Sequence, residues 1–336
     1  MKKVLIVEDS VLMQRVIGDI IQSSGEFEIC GYARNVDEAW AKFNKSRPDV
    51  ITLDYELPGE NGLVFLQRVM SIRPTPVLML SAHTHKGAEV TINSLNLGAV
   101  DFFPKPSGPI SIDLYDFKEE LIAKLRYVAQ ANLRPFVSVP QVTPGLKKVD
   151  FIIGIASSTG GVKALNFLLS SLRKDSGYKI IIVQHMPKFF TASLAIHLNE
   201  KSILNIKEAA QNDQILPDTV LIAPGGSHIK IHPSGKSVML TDESPRYGLK
   251  PCADYLFESM ADVFKDKAMG IVLTGMGHDG TKGLLKIKQL GGITIAQEPS
   301  EATIASMPQS AIDAGAVDYV LPLHLIVKKL TEMAGL

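Results

Sequence analysis

Cysteine is scarce in this chain. Its 336 residues include two, Cys30 and Cys252, far apart and in no ligand spacing, which excludes both a disulfide scaffold and a zinc site. Net charge is absent as well: 35 Lys+Arg balance 35 Asp+Glu, so nothing draws the chain toward phosphate backbones or anionic lipid, and no nucleic-acid partner is expected. No segment approaches the roughly 18 consecutive apolar residues of a membrane span, so membrane insertion is not expected either. The opening MKKVLIVEDS has a short apolar run but no small-residue cleavage site, and acids follow at once, so it reads as a first strand and not a signal peptide. These absences point to a cytoplasmic protein with reduced thiols. What is present is ordinary globular usage: 46% hydrophobic, 21% charged and 7% aromatic, which excludes disordered, collagen-like and coiled-coil chains. At roughly 150 residues per domain, the length suggests two domains.

Their boundary shows in charge and in proline. Residues 121 to 149 hold five basic residues and no acid. A helical pattern ends over 121 to 129, and the periodicity is then lost where Pro135, Pro140, Pro144 and Gly145 interrupt any helix. The expected division is a first domain over 1–125, a linker over 126–148 and a second domain over 149–336. Before the linker, VLIV (4–7), FEICGYA (27–33), DVITLD (49–54), PVLMLS (76–81) and VDFF (100–103) alternate with amphipathic stretches. Continuous apolar strands of this kind belong to a parallel sheet covered on both faces, so the first domain is a five-stranded, doubly wound α/β unit. After the linker, VDFIIGIA (149–156), YKIIIVQH (178–185), MGIVLT (269–274) and GITIAQ (292–297) predict a larger α/β domain. TVLIAP (219–224) and SVMLT (237–241) are expected to form an inserted or edge β region.

Ligands of open parallel sheets bind outside the carboxyl ends of the strands. In the first domain those ends carry Glu8 and Asp9, then Asp54, Ser81 and Lys105. Converging carboxylates suit a hard cation such as Mg²⁺, a carboxylate can accept a phosphoryl group, and a lysine with a hydroxyl can bind the added oxygens. The strings VLIVEDS, LDYELPGENGL, PVLMLSAHT and DFFPKP resemble the response-regulator receiver domain. The resemblance implies that Asp54 is phosphorylated by a chemotaxis histidine kinase, with Mg²⁺ held by Glu8, Asp9 and Asp54. It also implies that Ser81 is the switch hydroxyl and that Lys105 contacts the phosphoryl group. Lys105-Pro106 is similar to the family's Lys-Pro pair, often cis, an isomer reached cheaply only before proline. Phe103 stands where the family often places a switching aromatic; a core residue at a strand end is the alternative.

The second domain opens with a strand, a Ser/Thr/Gly turn and an amphipathic helix, FIIGIASSTGGVKALNFLL. Alone, that turn suits a nucleophile near a helix N-terminus, a phosphate loop or a simple cap. His185 ends the next strand and Asp279 lies on a later strand-end loop, so Ser158, His185 and Asp279 together supply a nucleophile, a base and an orienting acid. Gly275, Gly277 and Gly280 also satisfy G-x-G-x-x-G, and Glu298 follows at a suitable distance for a ribose-binding acid. A dinucleotide site is opposed by the motif's late position and by an acid, Asp279, inside the loop.

The strings ASSTGG, VQHMP, IAPGGSHI, GIVLTGMGHDG and AQEPSEATIASMPQSA closely resemble the catalytic domain of the chemotaxis protein-glutamate methylesterases, the CheB family. This resemblance implies Ser158 as nucleophile, His185 as base and Asp279 as its orienter, with Thr159 and Met276 lining the substrate and oxyanion region and no cofactor for ester hydrolysis. The implied substrates are methyl-accepting chemoreceptors, with deamidation of receptor glutamines as a second activity. Two positions depart from the family. Ser157 replaces its usual alanine directly before the nucleophile, with Ser158 favoured because it keeps the spacing to the Thr-Gly-Gly turn, and Cys252 replaces its usual serine, with altered substrate contacts but unaltered chemistry as the expected effect. A receiver-regulated esterase or binding module acting on a non-receptor target is the rival. The unphosphorylated receiver is expected to cover the strand edge that carries Ser158.

Overall fold

Each apolar run of the amino-terminal half becomes a strand: β1 (Lys2–Val7), β2 (Phe27–Ala33), β3 (Val50–Asp54), β4 (Val77–Ala82) and β5 (Asp101–Lys105). They form one parallel sheet in the order β2-β1-β3-β4-β5. Strand order reverses between β1 and β3, so the ends bearing Glu8, Asp9 and Asp54 flank the crevice where such sheets bind ligands. Ser10, Asn35 and Asn61 start three of the helices, each accepting a hydrogen bond from a backbone N–H of the first turn. The helix Lys118–Val128 lays Leu121, Leu125 and Val128 on a core shared with Val4, Ile6, Leu78, Leu80 and Phe103.

This computed structural model describes residues 1–82, 85–105, 118–137 and 151–333. Pro106 and residues 138–148 of the expected linker lie outside them. The chain divides into two compact units, Met1–Leu133 and Arg134–Leu336, a boundary inside the interval read as a linker. At the start of the second unit, the Phe136 ring packs on Phe167 at 5.3 Å.

The second unit contains β6 (Ile152–Ser157), β7 (Lys179–Gln184), β8 (Asn205–Glu208), β9 (Thr219–Ile222), β10 (His228–Ile231), β11 (Val238–Thr241), β12 (Ala268–Val272), β13 (Ile293–Gln297) and β14 (Tyr319–Leu321). Seven of these make a parallel sheet in the order β14-β13-β12-β6-β7-β9-β8, and β10 with β11 makes a separate antiparallel pair. The expected edge region is therefore split. The strand in 219–224 is β9, fully buried inside the main sheet, while the strand in 237–241 belongs to the hairpin. β6, β7 and β12 lie at the centre, and the order reverses between β6 and β12. Their carboxyl ends hold Ser158, His185 and the loop to Asp279, so the topology alone brings the three segments to one crevice.

Candidate active site

In the first unit, Lys105 Nζ donates to Asp54 Oδ2 at 2.6 Å and to Glu8 Oε2 at 2.7 Å. Burial pushes Glu8 up to about 7, against the attraction of Lys105, with the neighbouring Asp54 charge adding to the rise. Burial also raises Asp54 despite Lys105. The lysine is raised in turn, because the two acids outweigh its own desolvation. Glu8, Asp9 and Asp54 present ligand oxygens within 4.8 Å of one another. Hard oxygen donors, crowded enough to drive one toward neutrality, fit a divalent cation. Ser81 is buried at the end of β4, donating to Gly87 O at 3.2 Å and accepting from Thr91 Oγ1 at 2.5 Å. Phe103 is buried in the core.

The second site begins with a turn that glycine makes possible. A Cβ on Gly161 would lie 2.2 Å from Gln184 Oε1, so only glycine lets the helix Gly161–Ser171 start this close to the end of β7. Gln184 fills that space. Its Oε1 accepts from Ser157 Oγ at 2.6 Å and its Nε2 donates to Ser158 O at 2.9 Å. Ser157 is fully buried with its hydroxyl committed, whereas Ser158 is only half-buried. Across the crevice, the Ser158 N–H donates to Thr274 O at 3.0 Å, and a Cβ on Gly275 would lie 2.8 Å from Ser158 Cβ.

His185 Nε2 donates to Asp279 Oδ2 at 2.7 Å, while Nδ1 is buried and accepts no hydrogen bond from the described residues. A neutral imidazole with its proton on Nε2 leaves Nδ1 as the base. The structure thus joins His185 to Asp279 and sets Ser158 on the adjoining loop, without a hydrogen bond between Ser158 and His185. Such contacts often tighten only with substrate.

Asp279 has further partners. The Ala253 N–H donates to Oδ2 at 2.6 Å, and Oδ1 accepts from Gly280 N at 2.8 Å, Asp254 N at 3.0 Å and Cys252 Sγ at 3.0 Å. Burial alone would raise this acid, but the hydrogen bonds from His185, Cys252 and the Ala253 N–H hold it well below the usual carboxylate range. Two of the donors are the first amides of the helix Ala253–Phe264, where the helix dipole favours an anion. The glycine-rich loop therefore turns the Gly280 amide onto its own aspartate, so that donor is not offered to a pyrophosphate. Cys252 is fully buried behind Asp279, so it faces the carboxylate and not the substrate surface, contrary to the expectation of altered substrate contacts. Burial, followed by the Asp279 charge, pushes its thiol far up.

Thr159 is buried, and its carbonyl accepts from Thr274 Oγ1 at 2.9 Å. Met276 is half-buried on the loop between Gly275 and Gly277. That loop is clasped by the segment before the helix Ser306–Asp313, through Gly275 N to Ile304 O at 3.0 Å and Gly277 N to Ser306 Oγ at 3.1 Å. Gln184, Thr274 and Asp254 escaped sequence reasoning. Gln184 adjoins His185 and was findable as a polar residue ending an apolar strand, whereas Thr274 gives no local signal.

Comparison with known proteins agrees across the chain. Residues 153–330 match the family model of the CheB methylesterase, and residues 4–113 match that of the response regulator receiver domain. The protein-glutamate methylesterase/protein-glutamine glutaminase of Geobacillus kaustophilus is 41% identical over 99% of this chain and 99% of its own length. The protein of that name from Thermotoga maritima is 38% identical over 98% of each. The crystal structure of the Thermotoga maritima CheB methylesterase catalytic domain superposes with a TM-score of 0.53 at 38% identity, covering 57% of this chain and all of that one. The chain belongs to the CheB methylesterase family, with a response-regulator receiver domain preceding the catalytic domain.

Proposed function

We propose that the protein is a phosphorylation-activated serine hydrolase that removes methyl esters from glutamates of methyl-accepting chemoreceptors, releasing methanol, and deamidates receptor glutamines. The His185–Asp279 pair carries this reading, because Nδ1 has no hydrogen-bond partner among the described residues and the His185 N–H donates to Ser157 O at 3.0 Å, one residue before Ser158, at the switch point of the sheet. His185 Nδ1 takes the proton of Ser158 Oγ as that oxygen attacks the ester carbonyl. Negative charge then develops on the carbonyl oxygen, where Thr159 and the backbone around Met276 line the site. His185 returns the proton to the departing methoxide, leaving a glutamyl ester on Ser158. Water, deprotonated by the same imidazole, attacks that ester, and His185 gives the proton to Ser158 Oγ as the acyl–oxygen bond breaks and the carboxylate is freed. For a glutamine, the leaving group is ammonia. Asp279 stays ionised and holds the imidazole in the tautomer that leaves Nδ1 basic.

In the receiver, Asp54 accepts the phosphoryl group from the phosphohistidine of a chemotaxis histidine kinase. Glu8, Asp9 and Asp54 would hold Mg²⁺, which supplies charge neutralisation for phosphoryl transfer. Lys105 holds the carboxylate in place and pairs with the added phosphoryl oxygens. The reaction is cytoplasmic; among the described residues, no helix is long and apolar enough to cross a membrane. The test is methanol release from methylated receptor membranes. The wild type releases methanol, and Ser158→Ala loses it by three or more orders of magnitude. Hydrolysis of small activated esters without methanol release from receptors favours a non-receptor target.

A further inference from the structure

One tight turn beside the active site carries a residue its backbone disfavours. Arg246 and Leu249 exchange both backbone hydrogen bonds, at 3.2 and 2.9 Å. Between them Tyr247 and Gly248 have φ of 58° and 75°. This is a two-residue hairpin turn whose first central position needs φ > 0, a place ordinarily taken by Asn, Asp or Gly. A bulky aromatic in the left-handed region persists only where its surroundings fix it, and such residues cluster at ligand clamps and active sites.

The surroundings do fix it. The Tyr247 hydroxyl donates to Asp254 Oδ2 at 3.0 Å, and Asp254 is fully buried. The ring meets His278, the neighbour of Asp279, edge-on at 4.5 Å. The Arg246 guanidinium lies 5.6 Å and the Lys282 ammonium 5.5 Å from its centroid. Yet Tyr247 remains 39% exposed. Its tip is anchored while part of the residue stays exposed, next to the loop that carries Asp279. Arg246 is committed to Glu258 at 2.8 Å, whereas Lys282 is exposed, reaches the Tyr247 hydroxyl and forms no ion pair among the described residues.

We propose that Tyr247 and Lys282 form a recognition shelf for the substrate helix. The inference rests on the methylesterase reading and adds to it the part of the substrate that is read. The rigid ring packs on aliphatic carbons beside the ester, and Lys282 pairs with a carboxylate about one turn away on the same helix. A helix of partly methylated glutamates presents both groups. Preorganised tyrosines of this kind are favoured at binding hot spots.

The full-length protein is assayed for methanol release from methylated receptor membranes. Asn suits the turn, so Tyr247→Asn keeps the fold, the relieved backbone offsetting the lost hydrogen bond to Asp254. At the same time it raises KM about tenfold, with kcat changed by less than twofold. Tyr247→Phe, which keeps the ring and loses only the hydroxyl, keeps KM within about twofold of wild type. Lys282→Glu raises KM most at low ionic strength. The shelf is overturned if Tyr247→Asn leaves KM unchanged, or if Phe and Asn variants lose kcat equally, since the tyrosine then acts only by tethering Asp254. Failure of the methylesterase reading looks different, because the unsubstituted protein itself then releases no methanol.

Discussion

Ser157 and Ser158 are adjacent hydroxyls with different duties. Ser157 Oγ is spent on Gln184, so Ser157→Ala leaves a buried acceptor unpaired and costs about 1 kcal/mol of stability. It should leave methanol release within about tenfold of wild type, whereas Ser158→Ala, at the proposed nucleophile, should lose three or more orders of magnitude. Steady-state assays of the two variants separate them. Asp279 gives a prediction with a definite sign. Its folded pKa is lowered, so its ionised form stabilises the fold, fully above the unfolded value of about 3.9 and less as pH falls through the folded value. Asp279→Asn should cost about 2 kcal/mol or more at pH 7, and urea melts should show the gap narrowing below about pH 4. Turnover should fall by roughly 10²- to 10⁴-fold through loss of the imidazole's orientation. Cys252 is buried and Cys30 half-buried, so alkylation of the native protein should label Cys30 and reach Cys252 only after denaturation, as read by mass spectrometry.

At the scale of elements, the Gly161 turn is one of the tightest fits in the site. Gly161→Ala drives a methyl into Gln184 and Ser157, costing about 1–3 kcal/mol as overpacking, and displaces Ser158, so thermal melts and methanol release should fall together. The sequence shows which strands build the two sheets wherever both faces of a strand are covered, because burial enforces a continuous apolar run, as in β3 and β6. It is silent for β8 and β14, the edges of the larger sheet. There the patterns NIKE and YVL are largely solvent-facing, and no burial selects their residues. The same contrast holds at the site. Ser158, His185 and Asp279 were legible because central strands end in chemically distinctive residues. The Asp254–Tyr247 and Thr274–Ile304 contacts were not, since each joins loops whose meeting depends on the whole sheet order.

For the whole molecule, the claim to be tested is that one unit governs the other. Asp54→Ala, or removal of Mg²⁺, should abolish label transfer from a phosphorylated histidine kinase or a small phosphodonor. Lys105→Ala should permit labelling but uncouple it from esterase activation, because Lys105 joins both Asp54 and Glu8. If the receiver covers the catalytic edge before phosphorylation, the fragment 148–336 should demethylate receptors faster than the unphosphorylated chain, and phosphorylation should narrow the difference. Equal rates would show that the receiver does not occlude.

The carboxylate of Asp279 serves two masters. It receives the first amides of the helix Ala253–Phe264 and, with one of the same oxygens, Oδ2, holds His185. A copy of the enzyme in which that helix has frayed is therefore also a copy without an oriented base. Partially unfolded molecules are silent, and loss of methanol release along a denaturation series reports the opening of this helix.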